Sequence, residues 1–380
     1  MVKKLLSSGS CLLFVLIILF ASMFIVNISE NVKADVHNVS PGESIQMAID
    51  NATAGDTVYI FSGTYNEKIA ISEAISLVGE SRSTTIIDGG GDVSVIQILD
   101  TESAIVNSLT VKNAEVGINI IGSDNVQIEE INVSDCHGEG VYVDNSNNFK
   151  ITNGFLSGLG TGNGISALYA NDLEIKGTIV KSFLSGIDCQ YSSDSLIANN
   201  NIMYNGDGIR IRYGSGVKIQ HNTLYNNSNS GISLLQQSSA TVESSEIDLS
   251  GYGIYLTSVS SGTVYNSSIS FSYLADLYVG MEQLTLVNTS FSPDSVIISQ
   301  QDAVLNVKNF LDIHVVDSDD NPVLGADVIV KEDGNKIYDS KTGDRKTDAD
   351  GLVRFIETIY QVYVYDPGLD FKIEESTTSI

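Results

Sequence analysis

Residues 206 to 234 read GDGIRIRYGSGVKIQHNTLYNNSNSGISL, which holds one full turn of a repeat. Gly208-Ile209 near its start returns as Gly231-Ile232 near its end. Followed outward, the same glycine-aliphatic pair occurs at Gly117-Ile118, Gly140-Val141, Gly164-Ile165, Gly186-Ile187 and Gly253-Ile254, always 22 to 24 residues apart. Between these pairs lies a second motif, two aliphatic residues five apart, as in Ile151/Leu156, Ile175/Val180, Ile197/Ile202, Ile219/Leu224 and Val242/Ile247. Amides often stand between its members: Asn153, Asn199, Asn200, Asn222, Asn266 and Asn288. Asparagine tolerates left-handed backbone and hydrogen-bonds locally, so these positions read as corners.

Short period-2 strands, sharp corners and a repeat of this length, without helical periodicity, describe a solenoid of stacked coils. The Leu-x-x-Leu-x-Leu scaffold of a leucine-rich repeat is missing. The expectation is therefore an all-β parallel β-helix of about ten coils between Thr57 and Asn309. Ser40-Pro41-Gly42-Glu43 has the form of a capping box, followed by Ile45, Ala48, Ile49 and Ala52 at helical spacing, which predicts a capping helix over 41–52. After Asn309 the period breaks. Alternating strands with an Asp333-Gly334 hairpin then predict a small antiparallel β-sandwich over 310–380, leaving 35–309 to the β-helix.

Lys3 and Lys4 precede a sixteen-residue apolar run, Cys11 to Val26, and then polar sequence. This is the pattern of a signal peptide over 1–34, with retention as an N-terminal membrane anchor as the other outcome, and it places the chain outside the cell or on its surface. Twenty basic residues against 47 acidic ones, a net charge of −27, argue against nucleic acid as a partner, because phosphate neutralisation needs a basic face. The same charge repels acidic polysaccharides wherever no local basic patch intervenes. Of the three cysteines Cys11 lies in the leader, and the register sends Cys189 into the core, so no disulfide is expected between Cys136 and Cys189.

The stretch SIQMAIDNATAGDTVYIFSGTYNEKIAISEAISLVGE, with TTIIDGG after it, resembles the entry coils of right-handed parallel β-helix proteins of the pectin-lyase-like superfamily. The stretch quoted first resembles their NosD-type repeats. Asn321-Pro322-Val323 and Thr347-Asp348-Ala349-Asp350-Gly351 resemble carboxypeptidase-regulatory-like, Ig-like modules of surface proteins. The first resemblance implies a right-handed coil and leaves the activity open, since such repeats serve lyases, hydrolases, esterases, epimerases and adhesins alike.

If Ile209 and Ile211 face the core, Arg210 and Arg212 face outward, and Asp188 lies beside Arg210 one coil away. Five residues after Gly164, Gly186 and Gly208 come Tyr169, Tyr191 and Tyr213. Tyrosines beside arginines suit a sugar, although unbroken alternation would turn Tyr213 inward unless the strand ends first. Tyr169, Tyr191, Tyr213, Asp188, Arg210 and Arg212 are thus the candidate ligand-binding set, for a polysaccharide or another cell-envelope component. As an enzyme, the chain would use Asp188, Asp207, Arg210 and Arg212 for lyase, hydrolase or epimerase chemistry. A purely structural surface protein is the third reading.

The paired Asp-Asp, Gly-His-Gly and Arg-x-Lys elements that the hydrolase resemblance would imply are missing, and calcium, which a lyase would set opposite its base, has few carboxylates to hold it. Copper, implied by the NosD resemblance, lacks grouped ligands: Cys136 adjoins His137, but Met203 stands alone.

Overall fold

The computed structural model describes residues 34–258, 260–280, 283–366, 369–375 and 378–379, so the expected leader lies outside them except for Ala34. Among the described residues no helix is long and apolar enough to cross a membrane.

Strands of three to six residues dominate, each with its aliphatic side chains turned inward. Ile165, Ile187, Ile209, Ile232 and Ile254 are successive register partners in parallel strands, and none is more than 1% exposed. One core runs unbroken from Val39 to Val307. In the sheet formed by the second motif, thirteen parallel strands follow one another from Val36–Val39 to Val304–His314, which makes twelve turns rather than about ten. The entry strand and the last strand lie beyond the run of glycine-aliphatic pairs, so periodicity alone undercounts them. Twelve steps of about 4.8 Å amount to roughly 58 Å.

The glycine of each pair is set by a close backbone approach. A Cβ placed on Gly186 would lie 2.7 Å from the carbonyl oxygen of Gly208, one on Gly208 would lie 2.5 Å from that of Gly231, and one on Gly231 would lie 2.8 Å from that of Gly253. The column ends at Asp276, whose carbonyl meets Gly253 in the same way. Asp276 itself carries a side chain there, and its carboxylate accepts the backbone N–H groups of Ser272 and Ser292.

Corners follow the sequence closely. Asn153, Asn199, Asn266 and Asn288 all have positive φ, between 48° and 56°. Asn200 and Asn222 instead turn inward in a ladder. Asn222 Oδ1 accepts the backbone N–H of Asn200 at 3.0 Å, and Asn200 Oδ1 accepts that of Thr178 at 2.9 Å. Ser245 and Ser267 continue the ladder with hydroxyls. Buried corner N–H groups, which strand pairing alone would leave without acceptors, are satisfied in this way.

The expected capping box needs correction. Ser40 and Glu43 do bond, the Ser40 N–H donating to Glu43 Oε2 at 2.7 Å, but they close a turn. The helix is Ile45–Asp50, and its N-cap is Ser44, whose hydroxyl accepts the Met47 N–H. Glu67, from the next coil, accepts the N–H groups of Ile45 and Gln46 at this helix start, a long-range contact that a local capping pattern does not reveal. Ile45 and Ile49 join the core.

Val304–His314 runs straight through residue 309. It is parallel to Gln283–Val287 on one side and antiparallel to Leu352–Asp366 on the other. That returning strand lies over the last coil and inserts Tyr363, fully buried, into the solenoid core. Ile313, Val328, Val330, Val353 and Ile356 form a separate, smaller cluster. The Asp333-Gly334 hairpin forms as expected, both residues having positive φ.

The glycine column yields a direct test. Gly208→Ala forces a methyl against backbone, which a side-chain shift does not relieve, and is expected to cost about 1–3 kcal/mol. A urea midpoint indistinguishable from that of the parent chain would contradict this packing.

Candidate functional site

On the outer face of the glycine-aliphatic strands, one coil supplies Asp188 and the next supplies Asp207, Arg210 and Arg212. Alternation sends Asp188, Arg210 and Arg212 outward while Ile209 and Ile211 fill the core; Asp207, at the start of the strand and in step with Ile209, departs from it and lies within reach of Arg210. Asp188 and Arg210 are register partners, as the repeat predicts. Both arginines close on the same carboxylate. Arg210 donates through Nε and Nη2 to Asp188 at 3.0 and 2.9 Å, and Arg212 donates through Nε and Nη2 at 3.3 and 2.6 Å. The Asp188 side chain is only 4% exposed, and those of the arginines 21% and 27%.

Asp207 forms the second half of the cluster. Its Oδ1 accepts from Asn229 Nδ2 and Ser230 Oγ, each at 2.6 Å, and from Ser233 Oγ at 3.3 Å, while Arg210 Nη1 stands 3.6 Å from Oδ2. Burial opposes the charge on Arg210, but its hydrogen bonds to Asp188 and the charges of Asp188 and Asp207 outweigh that and hold the guanidinium above its ordinary pKa. A guanidinium held so firmly in its charged form is a poor proton acceptor. Asn163, whose Oδ1 accepts from Arg210 Nη2 at 3.5 Å, and Ser230 escaped the sequence reading. Counting positions along the repeat would have placed them, because Asn163, Ser185, Asp207 and Ser230 are successive register partners.

Tyr169, Tyr191 and Tyr213 do form a column. Each strand ends at the residue before, and the tyrosine takes positive φ, 51°, 51° and 54°, which turns the ring out to solvent instead of inward. Ring centroids are 4.9 Å apart for Tyr169 and Tyr191 and 4.6 Å apart for Tyr191 and Tyr213, with planes within 12° of parallel. In such a stack both faces of Tyr191 are covered by its neighbours. The column therefore presents ring edges and hydroxyls, with aromatic faces left only at its two ends. A second aromatic group, Tyr252, Tyr255 and Tyr278, lies further along the same flank, Tyr255 being the register partner of Ser233.

Among the described residues no group of three or more His, Cys, Asp or Glu side chains is placed to hold a metal ion. His221 sits exposed at a left-handed corner. Cys136 and Cys189 are buried free thiols; burial pushes Cys136 up to about 11 and raises Cys189 further. Asp317 accepts the N–H groups of Asp319 and Asn321, which makes it a turn residue.

A family model for the right handed beta helix region matches residues 94–247 and 159–291, which together span more than half of the chain. Among solved structures, the A-module of the mannuronan C-5 epimerase AlgE4 from Azotobacter vinelandii is similar at 18% identity and a TM-score of 0.57, over 67% of this chain and 83% of that one. An alginate lyase from Paenibacillus sp. is similar at 14% identity and a TM-score of 0.50, over 61% and 94%. DFA-IIIase from Arthrobacter chlorophenolicus A6 without its lid is similar at 8% identity and a TM-score of 0.53, over 72% and 91%. At such identities the likeness is one of fold alone, a right-handed parallel β-helix.

One carboxylate serving two guanidiniums makes Asp188 the keystone of this face. Asp188→Ala strands both cations with little water around them and is expected to cost about 3–5 kcal/mol. Adding Arg210→Met and Arg212→Met should recover most of that. A single-variant loss below about 1 kcal/mol in denaturant titration would show that the cluster is far better solvated than its burial indicates.

Proposed function

The chain belongs to the right-handed β-helix family, and on that premise we propose that it is a secreted or surface-displayed protein whose outer flank binds a glycan or another cell-envelope component without turning it over. The observation that carries this reading is the shared carboxylate. Asp188 fixes Arg210 and Arg212 in one orientation, and Arg212 keeps its Nη1 donors free of any partner among the described residues. Next to it stands the edge-on tyrosine column. Pre-oriented donors beside a row of phenol hydroxyls suit the hydroxyl pattern of a sugar chain, and rigidity lowers the entropy lost on binding.

Catalysis by the same residues fits less well. A lyase or epimerase requires a group that accepts a proton, whereas Arg210 is driven further into its charged form. An inverting hydrolase requires two accessible carboxyls, yet Asp188 and Asp207 are 3% and 6% exposed and already accept several donors. The solved structures of like fold include an epimerase named for mannuronan and a lyase named for alginate, which supports a polysaccharide as the class of ligand. The C-terminal segment 310–380 serves in this reading as a spacer or cap.

Titration of the chain against neutral and acidic polysaccharides, with and without calcium, tests the proposal, combined with absorbance for unsaturated ends and reducing-sugar release. Binding without product is expected, weakened about tenfold by Arg212→Gln and lowered by Tyr191→Phe, which keeps the ring stack but deletes a hydroxyl. Product that disappears in Arg210→Ala would establish the enzyme instead. No binding to any member of the panel would leave the structural role.

A further inference from the structure

A cleft of about 600 Å³ in the C-terminal segment is lined by Tyr338, Arg345, Lys346, Arg354 and Phe355, among others. The chain has only five arginines, and two of them meet here. Lys346 is matched by Asp327 at 2.7 Å. Arg345 and Arg354 are exposed, and among the described residues neither guanidinium has an ion-pair or hydrogen-bond partner, unlike the pair held by Asp188. Asp344 and Asp348 also border the cleft, but each has an oxygen committed to backbone. Asp344 accepts the Asp339 N–H, and Asp348 accepts those of Asp350 and Leu352.

Phe355 marks the same spot independently. The strand bulges where Arg354 and Phe355 stand opposite the single residue Asp312, and Phe355 adopts φ 61° with 68% of its surface exposed. Its N–H donates to Asp312 Oδ1 at 2.9 Å, which holds the bulge open. A bulky side chain in left-handed backbone is strained, and a ring left 68% exposed, with one edge contact to Phe310, recovers little of that through burial, so packing alone does not explain the choice of residue.

We propose that this cleft is a second binding site, for a sugar that carries a carboxylate. The arginine forks match a planar carboxylate, and the phenyl ring, braced edge to face by Phe310 at 5.6 Å, meets the apolar face of a pyranose. Its three cations are balanced by Asp344, Asp348 and the Asp327 paired to Lys346, so the cleft is locally neutral on a chain of net charge −27, and an acidic sugar meets less of the general repulsion here. The site is separate from the β-helix flank and does not rest on its assignment.

Calorimetric titration of the full chain with a trigalacturonate, its fully methyl-esterified form and inorganic phosphate tests it. The expected result is binding of the acid, at least tenfold weaker binding of the ester, and weak or no binding of phosphate alone. Arg345→Gln with Arg354→Gln should weaken the acid at least tenfold. Phe355→Gly, which relaxes the backbone and should leave thermal stability equal or higher, should weaken it several-fold. Arg82→Gln, at an arginine that donates to the Asn153 carbonyl outside both the cleft and the Asp188 cluster, should leave this binding unchanged. No binding at millimolar acid, equal affinity for the ester, phosphate binding as tight as the acid, or indifference to both cleft variants would each overturn the proposal.

Discussion

Seven backbone contacts hold the rest of this molecule in place: each glycine from Gly117 to Gly253 lies so close to the carbonyl of its counterpart in the next coil that a Cβ would come within 2.8 Å of it. Such an approach is possible only when successive coils superpose without slippage. Once they do, equivalent side chains become vertical neighbours, and the interior fills with columns of Ile, Val and Leu. Burial of these columns supplies the main favourable free energy, while the Asn and Ser ladders keep the corner N–H groups from being stranded.

The same stacking determines what the outside can do. Where charged residues superpose, a carboxylate in one coil can gather cations from the next, as Asp188 gathers Arg210 and Arg212. Where aromatic residues superpose at a left-handed corner, they turn their faces to each other and only their edges to solvent. The outer flank is consequently rigid and rich in donors rather than flat and apolar. In the C-terminal segment the constraint is relaxed: an antiparallel pair with a bulge replaces the parallel register, and there an aromatic face and two arginines stand free.

Much of this was legible in the sequence because a strict repeat converts chain distance into spatial neighbourhood. The stacked isoleucines, the Asp188 and Arg210 pairing, the buried Cys189 and the Asp333-Gly334 hairpin all follow from position counting and turn chemistry. What stayed hidden was non-repeating or depended on three-dimensional closure. Ser44 is the N-cap because Glu67 from another coil completes that helix start, which no local motif announces. The twelfth turn and the burial of Tyr363 depend on strands outside the periodic region, the latter on a return that reverses direction. Tyrosine spacing predicted a column but not the ring orientation, which is set by corner φ, and the second grip on Asp188, from Arg212, needed side-chain geometry beyond simple register.

Distances between spin labels along one outward column test the stacked solenoid most directly. Gln127, Thr241, Thr263 and Thr285 belong to a single register column, with five, six and seven steps separating the first from the others. With one label at position 127 and the second moved from 241 to 263 to 285, the mean distance should rise by about 4.8 Å each time, from roughly 24 Å to roughly 34 Å. Distances that fail to increase with coil number, or that change by much more than one strand spacing per coil, would contradict the stacked register that brings Asp188, Arg210 and Arg212 together.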